Sequence, residues 1–71
     1  MLIYRLKQWP QLADRERTAR ILSTLSVMSN RPVNRRWMLS NSKLPARELD
    51  PLLEHWIESG WVEVIDPSRF A

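Results

Sequence analysis

Positively charged side chains are the residues of this 71-residue sequence whose types and spacing suggest the clearest chemistry. Lysine and arginine bind phosphate groups, and arginine can also make paired hydrogen bonds to the edge of a guanine base. Five such residues are concentrated in the middle of the chain: Arg31, Arg35, Arg36, Lys43 and Arg47. This concentration predicts a basic surface that binds an anionic partner such as nucleic acid.

Charge is unevenly distributed along the chain. Through residue 47, ten lysines and arginines outnumber two acids, a local charge of +8, whereas from residue 48 onward six acids outnumber one arginine, a local charge of −5. A basic surface attracts anionic partners. Two other interpretations stay open, because the charged faces could be only solvated or could pair with each other. In the second case Arg35 and Arg36 would bind Glu48, Glu54 or Glu58 and stabilise the fold little.

A second hypothesis takes the acidic residues as the functional ones. Asp50, Glu54 and Glu58 recur every four residues, a spacing that puts them on one side of a helix. An exposed tryptophan also marks interfaces, and Trp9 is the tryptophan that we expect to be exposed. This combination predicts a basic protein partner for the acidic face. It also permits a second copy of the chain, because the acidic helix of one copy would complement the basic body of the other.

Catalysis is the weakest of the three hypotheses. His55 lies next to Glu54 and three residues before Glu58, but it does not align with both, and two ligands make a poor metal site. The sequence has no cysteine and one glycine, which excludes disulfides, thiolate catalysis and a glycine-rich phosphate loop. We therefore expect a protein that is not an enzyme and that uses no metal, cofactor or small-molecule ligand.

The elements that position these residues begin with a short strand, since Leu2–Lys7 alternates between apolar and polar residues. Asp14–Ser29 is predicted as the first helix, with Ile21, Leu25 and Met28 among its apolar residues at helical spacing. The helix should end at residues 30–32, where asparagine tolerates a left-handed cap and the following proline disfavours helix.

Two further helices are predicted after this stop. Asn34 is a good N-cap for a short helix that carries Trp37 and Met38, and Asn41–Pro45 is predicted as a turn. A third helical region spans Pro45–Ser59. Because Pro51 has no amide hydrogen, we expect one turn at residues 45–49, then a kink or break with Asp50 as N-cap, and the main helix at residues 51–59.

The last part of the chain completes a single domain over residues 1–71. Gly60 is placed for a helix cap with positive φ, and Trp61–Ile65 is predicted as a strand whose partner is the N-terminal strand. We expect a mainly α fold with a small β element, a thin core and dimerisation as a remedy for it. The sequence shows neither a signal peptide nor a membrane span, which predicts a cytoplasmic protein.

The order helix, short helix, turn, helix, glycine, strand resembles the winged helix–turn–helix family of DNA-binding domains. Leu44 stands at the apolar position of the family's turn, and Leu49, Leu53 and Trp56 match the apolar positions of its recognition helix. The segment Glu58–Glu63 is similar to the passage from that helix into the wing. The resemblance implies a winged-helix-like three-helix domain with a two-stranded sheet, and a transcriptional regulator or accessory factor that binds DNA.

For this chain, the resemblance implies that Arg47 reads a base edge. It also implies that phosphates are bound by Arg31, Arg35, Arg36 and Lys43. Winged helices also serve as docking or dimerisation units, so both hypotheses are compatible with the resemblance. The chain departs from the family in three respects. Its wing is short, a proline interrupts the recognition helix, and that helix carries four acids near its single arginine.

Overall fold

A computed structural model describes the backbone of residues 1–70 and the side chains of residues 1–68. Within this part of the chain, three α-helices and a three-stranded antiparallel sheet confirm the predicted mainly α fold with a small β element. The elements follow in the order β1 (Ile3–Leu6), α1 (Ala19–Asn30), β2 (Val33–Asn34), α2 (Arg35–Ser42), α3 (Ala46–Glu58) and β3 (Val62–Ile65).

The sheet has β1 at its centre, between β2 and β3. β1 and β3 are antiparallel, with Tyr4 opposite Val64 and Leu6 opposite Val62, which confirms the predicted pairing of the N-terminal and C-terminal strands. The predicted sheet of two strands was one strand short. The additional strand, β2, has only two residues, which are too few to show the alternation of apolar and polar residues that predicts a strand. Pro32 precedes it and favours the extended backbone seen at Arg31 (φ −155°).

One hydrophobic core lies between the helices and one face of the sheet. Every helix and strand contributes to it, and the residues that bury all or nearly all of their side chains are Tyr4, Leu6, Ile21, Leu25, Met28, Val33, Met38, Leu49, Leu53, Trp56 and Val62. On the opposite face of the sheet, the Arg5 guanidinium donates to the Glu63 carboxylate at 2.8 Å. The core includes Ile21, Leu25 and Met28 of α1 and Leu49, Leu53 and Trp56 of α3, all of which the sequence places at helical spacing. Leu22, Leu52 and Ile57, also predicted to face inward, are only partly buried.

The first helix begins later than predicted. Residues Asp14–Glu16 form a single 3₁₀ turn, and α1 starts at Ala19. The Thr18 hydroxyl accepts a hydrogen bond from the Ile21 amide at 3.2 Å, so threonine is the N-cap that the prediction missed. At the other end, α1 continues to Asn30 and the next residue is extended, so the predicted left-handed cap at Asn30 was wrong.

α3 runs without a break through Pro51, contrary to the predicted kink or break. Leu49 and Leu53, on either side of the proline, are buried in the core and hold both turns in place. Pro51 itself is exposed, so its ring meets solvent rather than a neighbouring element. Asp50 is not an N-cap, because it lies inside α3, whose N-cap position is Pro45. Its carboxylate binds Arg35 instead.

The C-terminus of α3 ends in the glycine cap that was predicted. The Gly60 amide donates to the Ile57 carbonyl at 3.0 Å and the Trp61 amide to the Trp56 carbonyl at 2.9 Å, while Gly60 has φ +80°. This pair of bonds is the Schellman motif, in which the residue after the cap adopts the left-handed conformation. The motif turns the chain directly from α3 into β3.

We expect Gly60→Ala to lower the free energy of unfolding by about 1–2 kcal/mol, the cost of a left-handed conformation in a residue with Cβ. A Cβ built at this position meets no atom within 4 Å, so the loss isolates backbone strain from steric clash. Thermal unfolding followed by circular dichroism measures it. Ser59→Ala is the matched control, since Ser59 has φ −77°, and equal losses in both variants would contradict the assignment.

Candidate nucleic-acid surface

α2 and the turn after it carry the centre of the predicted basic surface. The Asn34 side-chain oxygen accepts a hydrogen bond from the Trp37 amide at 2.7 Å, which confirms the predicted N-cap. α2 runs to Ser42, so the turn is shorter than predicted and contains residues 43–45. Lys43 takes φ 61°, and the buried Ser42 hydroxyl accepts from the Leu44 amide at 3.3 Å. These features shape the turn between α2 and α3, so that a helix, a turn and a helix follow one another in this part of the chain.

Arg36 lies in the first turn of α2, and Lys43 is the residue that follows the last residue of the same helix. Seven positions separate them in the sequence. Both side chains are exposed, as is that of Ser40 between them. Within residues 1–68, neither Arg36 nor Lys43 forms an ion pair. The two cations are therefore free to meet an anionic partner from solvent.

Arg47 lies in the first turn of α3 and borders an open groove of about 680 Å³. The groove is lined by apolar residues that include Ile21, Leu44 and Leu52, and by two arginines and two acids, Arg15, Arg47, Glu16 and Glu48. Arg15 was assigned to the first helix by sequence and was not among the predicted site residues. The 3₁₀ turn at residues 14–16 brings it to this groove, and recognising Thr18 as the N-cap of α1 would have separated it from that helix.

Arg31 is positioned by an aromatic ring rather than by an acid. Its guanidinium carbon lies 5.5 Å from the centre of the Trp37 ring, within the range of a cation–π contact. This contact joins the C-terminal end of α1 to α2. It leaves the guanidinium hydrogens available, because a cation–π contact uses the face of the group and not its N–H donors.

Arg35 binds Asp50, so a residue of the predicted DNA surface pairs with a residue of the predicted protein surface. The Arg35 Nε and one terminal nitrogen donate to the two carboxylate oxygens of Asp50 at 2.8 and 2.9 Å. This hydrogen bonding lowers the pKa of Asp50 and raises that of Arg35. The pair is half exposed, so it stabilises the fold little. Its main effect is to cancel one negative charge beside the helix–turn–helix.

The remaining residues of the predicted protein surface do not form one site. Glu54 and Glu58 are exposed and continue the row of acids along α3 that Asp50 begins. Trp9 is 47% exposed, as expected, but it lines a separate recess of about 280 Å³ with Leu12 and Arg17. None of Asp50, Glu54 and Glu58 lines that recess.

The described part of the chain was also compared with the features of a metal site and of a membrane span. The His55 ring packs edge-on against Trp61, with centroids 5.5 Å apart, and no group of three or more potential metal ligands occurs within that part. None of its helices is both long and apolar enough to cross a membrane. Comparison with protein-family models, with curated proteins and with solved structures finds no match.

Proposed function

We propose that this chain is a small DNA-binding protein that contacts duplex DNA through α2, the turn at residues 43–45 and the first turn of α3. One observation carries the proposal. Arg36 lies in the first turn of α2, Lys43 in the turn after it and Arg47 in the first turn of α3; all three are exposed, and none forms an ion pair within residues 1–68. Cations carried on a helix–turn–helix are suited to phosphate contacts, which supply much of the affinity for DNA.

The direction in which α3 meets DNA follows from the order of its charges. Arg47 stands at the N-terminal end, where recognition helices contact base edges. Glu54 and Glu58 lie about 10 and 16 Å further along the axis, beyond the ~8 Å over which charges act strongly at physiological salt. Asp50 is nearer but is neutralised by Arg35. Glu48 lies next to Arg47 in the first turn and is the one exposed acid close to that arginine without an ion pair within residues 1–68. This arrangement supports an approach by the N-terminal tip of α3 rather than by its whole length.

The resemblance to winged helix–turn–helix domains supports the same assignment. β1 from the N-terminus lies beside β3, in the place where a wing would supply a second strand. We therefore assign the DNA contact to the helices. We assign Arg31, Arg36 and Lys43 to phosphates, Arg47 to a base edge and Arg35 to the neutralisation of Asp50. The role is one of binding in the cytoplasm, as a regulator or an accessory factor.

An NMR titration of the ¹⁵N-labelled protein with a mixed-sequence DNA duplex tests the proposal. At about 50 mM salt the backbone amides of Arg36, Lys43 and Arg47 should shift together, and the shifts should shrink at about 200 mM because counterion release weakens with salt. If no amide of α2 or of the following turn moves at the lower salt, the proposal is wrong. The exposed acids Glu54 and Glu58 would then favour the alternative, a basic protein partner.

A further inference from the structure

We propose that the outer edge of β3 binds β3 of a second copy of the chain, antiparallel, so that two sheets join into one. The strand order β2-β1-β3 leaves β3 with one neighbour. Within residues 1–68, no other strand and no loop backbone pairs with its free side. A free edge presents backbone N–H and C=O groups that are ready to pair with another strand. This inference does not depend on DNA binding.

The hydrogen-bond pattern identifies which residues of β3 face outward. The Lys7 amide donates to the Trp61 carbonyl at 2.8 Å, and these two residues stand opposite each other in the register that continues from β1 and β3. Because bonded and non-bonded pairs alternate in an antiparallel ladder, Glu63 and Ile65 also direct their backbone groups toward β1. The backbone groups of Val62 and Val64 therefore point away from the sheet.

The side chains at this edge favour association. Val64 is 40% exposed although its partner across the sheet, Tyr4, is buried, so a valine on the core face of the sheet is left partly uncovered. Proteins commonly protect such an edge with charged side chains, a bulge or a proline within the strand. The sequence Val-Glu-Val-Ile has no proline and no lysine, and its one charge, Glu63, is paired with Arg5.

A second copy fits this edge better in a register centred on Val64 than in one centred on Glu63. When Val64 stands opposite Val64 of the second copy, the outward groups of both residues bond each other, and Val62 pairs with Asp66. A shift by one residue pair would place Glu63 opposite Glu63 of the second copy, and like charges directly opposite each other are destabilising. In the favoured register Glu63 faces Ile65 and keeps its bond to Arg5.

The predicted dimer is weak, because pairing through one short strand buries less than the ~1,200 Å² of a typical stable interface. Two-fold pairing has a consequence for the proposed function. It presents two copies of α3 related by symmetry, the arrangement that reads paired half-sites on DNA. If the protein stays monomeric but binds DNA, the proposed dimer is wrong and the proposed function stands. If it dimerises but does not bind DNA, the proposed function is wrong and the dimer stands.

Amide hydrogen exchange measured at several protein concentrations tests the pairing residue by residue. Between about 10 µM and about 1 mM, mass action should populate the dimer, and the amides of Val62 and Val64 should become protected as the concentration rises. The amides of Glu63 and Ile65 bond β1 and should be protected throughout. Sedimentation should show the mass rising from the 8.5 kDa of one chain toward twice that value. Unprotected Val62 and Val64 amides at the highest concentration would overturn the proposal.

A substitution at the centre of the edge provides the second test. Val64→Lys places two lysines opposite each other across the two-fold axis, so we expect the dissociation constant to rise at least ~10-fold. Ser23→Lys adds the same charge at an exposed position of α1 and should dimerise like the wild type. If both variants dimerise equally, or if the dimer forms while Val62 and Val64 amides still exchange freely, a different surface is the interface and the proposal is wrong.

Discussion

Replacing Trp56 by alanine is expected to lower the free energy of unfolding by about 3–5 kcal/mol. Trp56 is only 2% exposed and joins Leu49 and Leu53 in the core, so its removal leaves a large cavity. At about 0.05–0.15 kcal/mol per residue, a chain of this length has a total stability of about 4–10 kcal/mol. The substitution would therefore remove much of the stability of the domain. Urea unfolding followed by circular dichroism measures the loss.

Trp9→Ala is the matched control, since it makes the same chemical change at a tryptophan that is 47% exposed. We expect it to change the free energy of unfolding by less than about 1 kcal/mol, because most of that indole already meets water. Similar losses in the two variants would contradict the assignment of Trp56 to the core. The difference between the two variants measures how much of the free energy of unfolding depends on the burial of the Trp56 side chain.

The sequence is informative wherever a local rule decides the structure. Helical spacing of apolar residues locates α1 and α3 and most of the core, because a helix buries the stripe that repeats every 3.6 residues. Asn34 and Gly60 are identified as caps because each meets a requirement of the helix end, a side-chain acceptor or a positive φ. Even the pairing of β1 with β3 follows by elimination, since the sequence contains few strands.

Predictions failed where interactions between distant residues compete with a local rule. Pro51 should break a helix in isolation, but burial of Leu49 and Leu53 keeps α3 continuous. Asp50 followed by proline has the pattern of an N-cap, yet its carboxylate binds Arg35, fifteen residues earlier in the chain. No property of either short segment encodes that contact, which depends on how α2 and α3 pack.

The candidate site shows the same division. Exposure of Arg36, Lys43 and Arg47 follows from their polar character and helical spacing, so the sequence identifies them as a basic surface. The pairing of Arg35 and the position of Arg15 beside Arg47 depend on the turn at residues 43–45 and on the 3₁₀ turn before α1. A list of charged residues therefore has to be corrected by the fold before it describes a surface.

The double variant Arg36→Gln/Lys43→Gln is expected to weaken DNA binding about 10- to 100-fold at low salt, because each lost phosphate contact to a charged donor costs roughly 1 kcal/mol or more. Glutamine keeps most of the length and polarity of both side chains, so α2 should fold unchanged. The dependence of the binding constant on salt should also decrease by about one unit of slope per cation removed. Fluorescence anisotropy of a labelled duplex at several salt concentrations measures both effects.

Lys7→Gln/Arg17→Gln is the matched control, since it removes the same net charge from outside the helix–turn–helix, where Lys7 follows β1 and Arg17 lines the recess beside Trp9. If affinity depended only on net charge, both double variants would lose binding equally, and the assigned surface would be wrong. A larger loss and a smaller salt slope only in the α2 variant would instead tie affinity to that surface. This comparison separates a defined DNA-binding face from the general attraction of a basic protein for DNA, because only the former depends on where the charges lie.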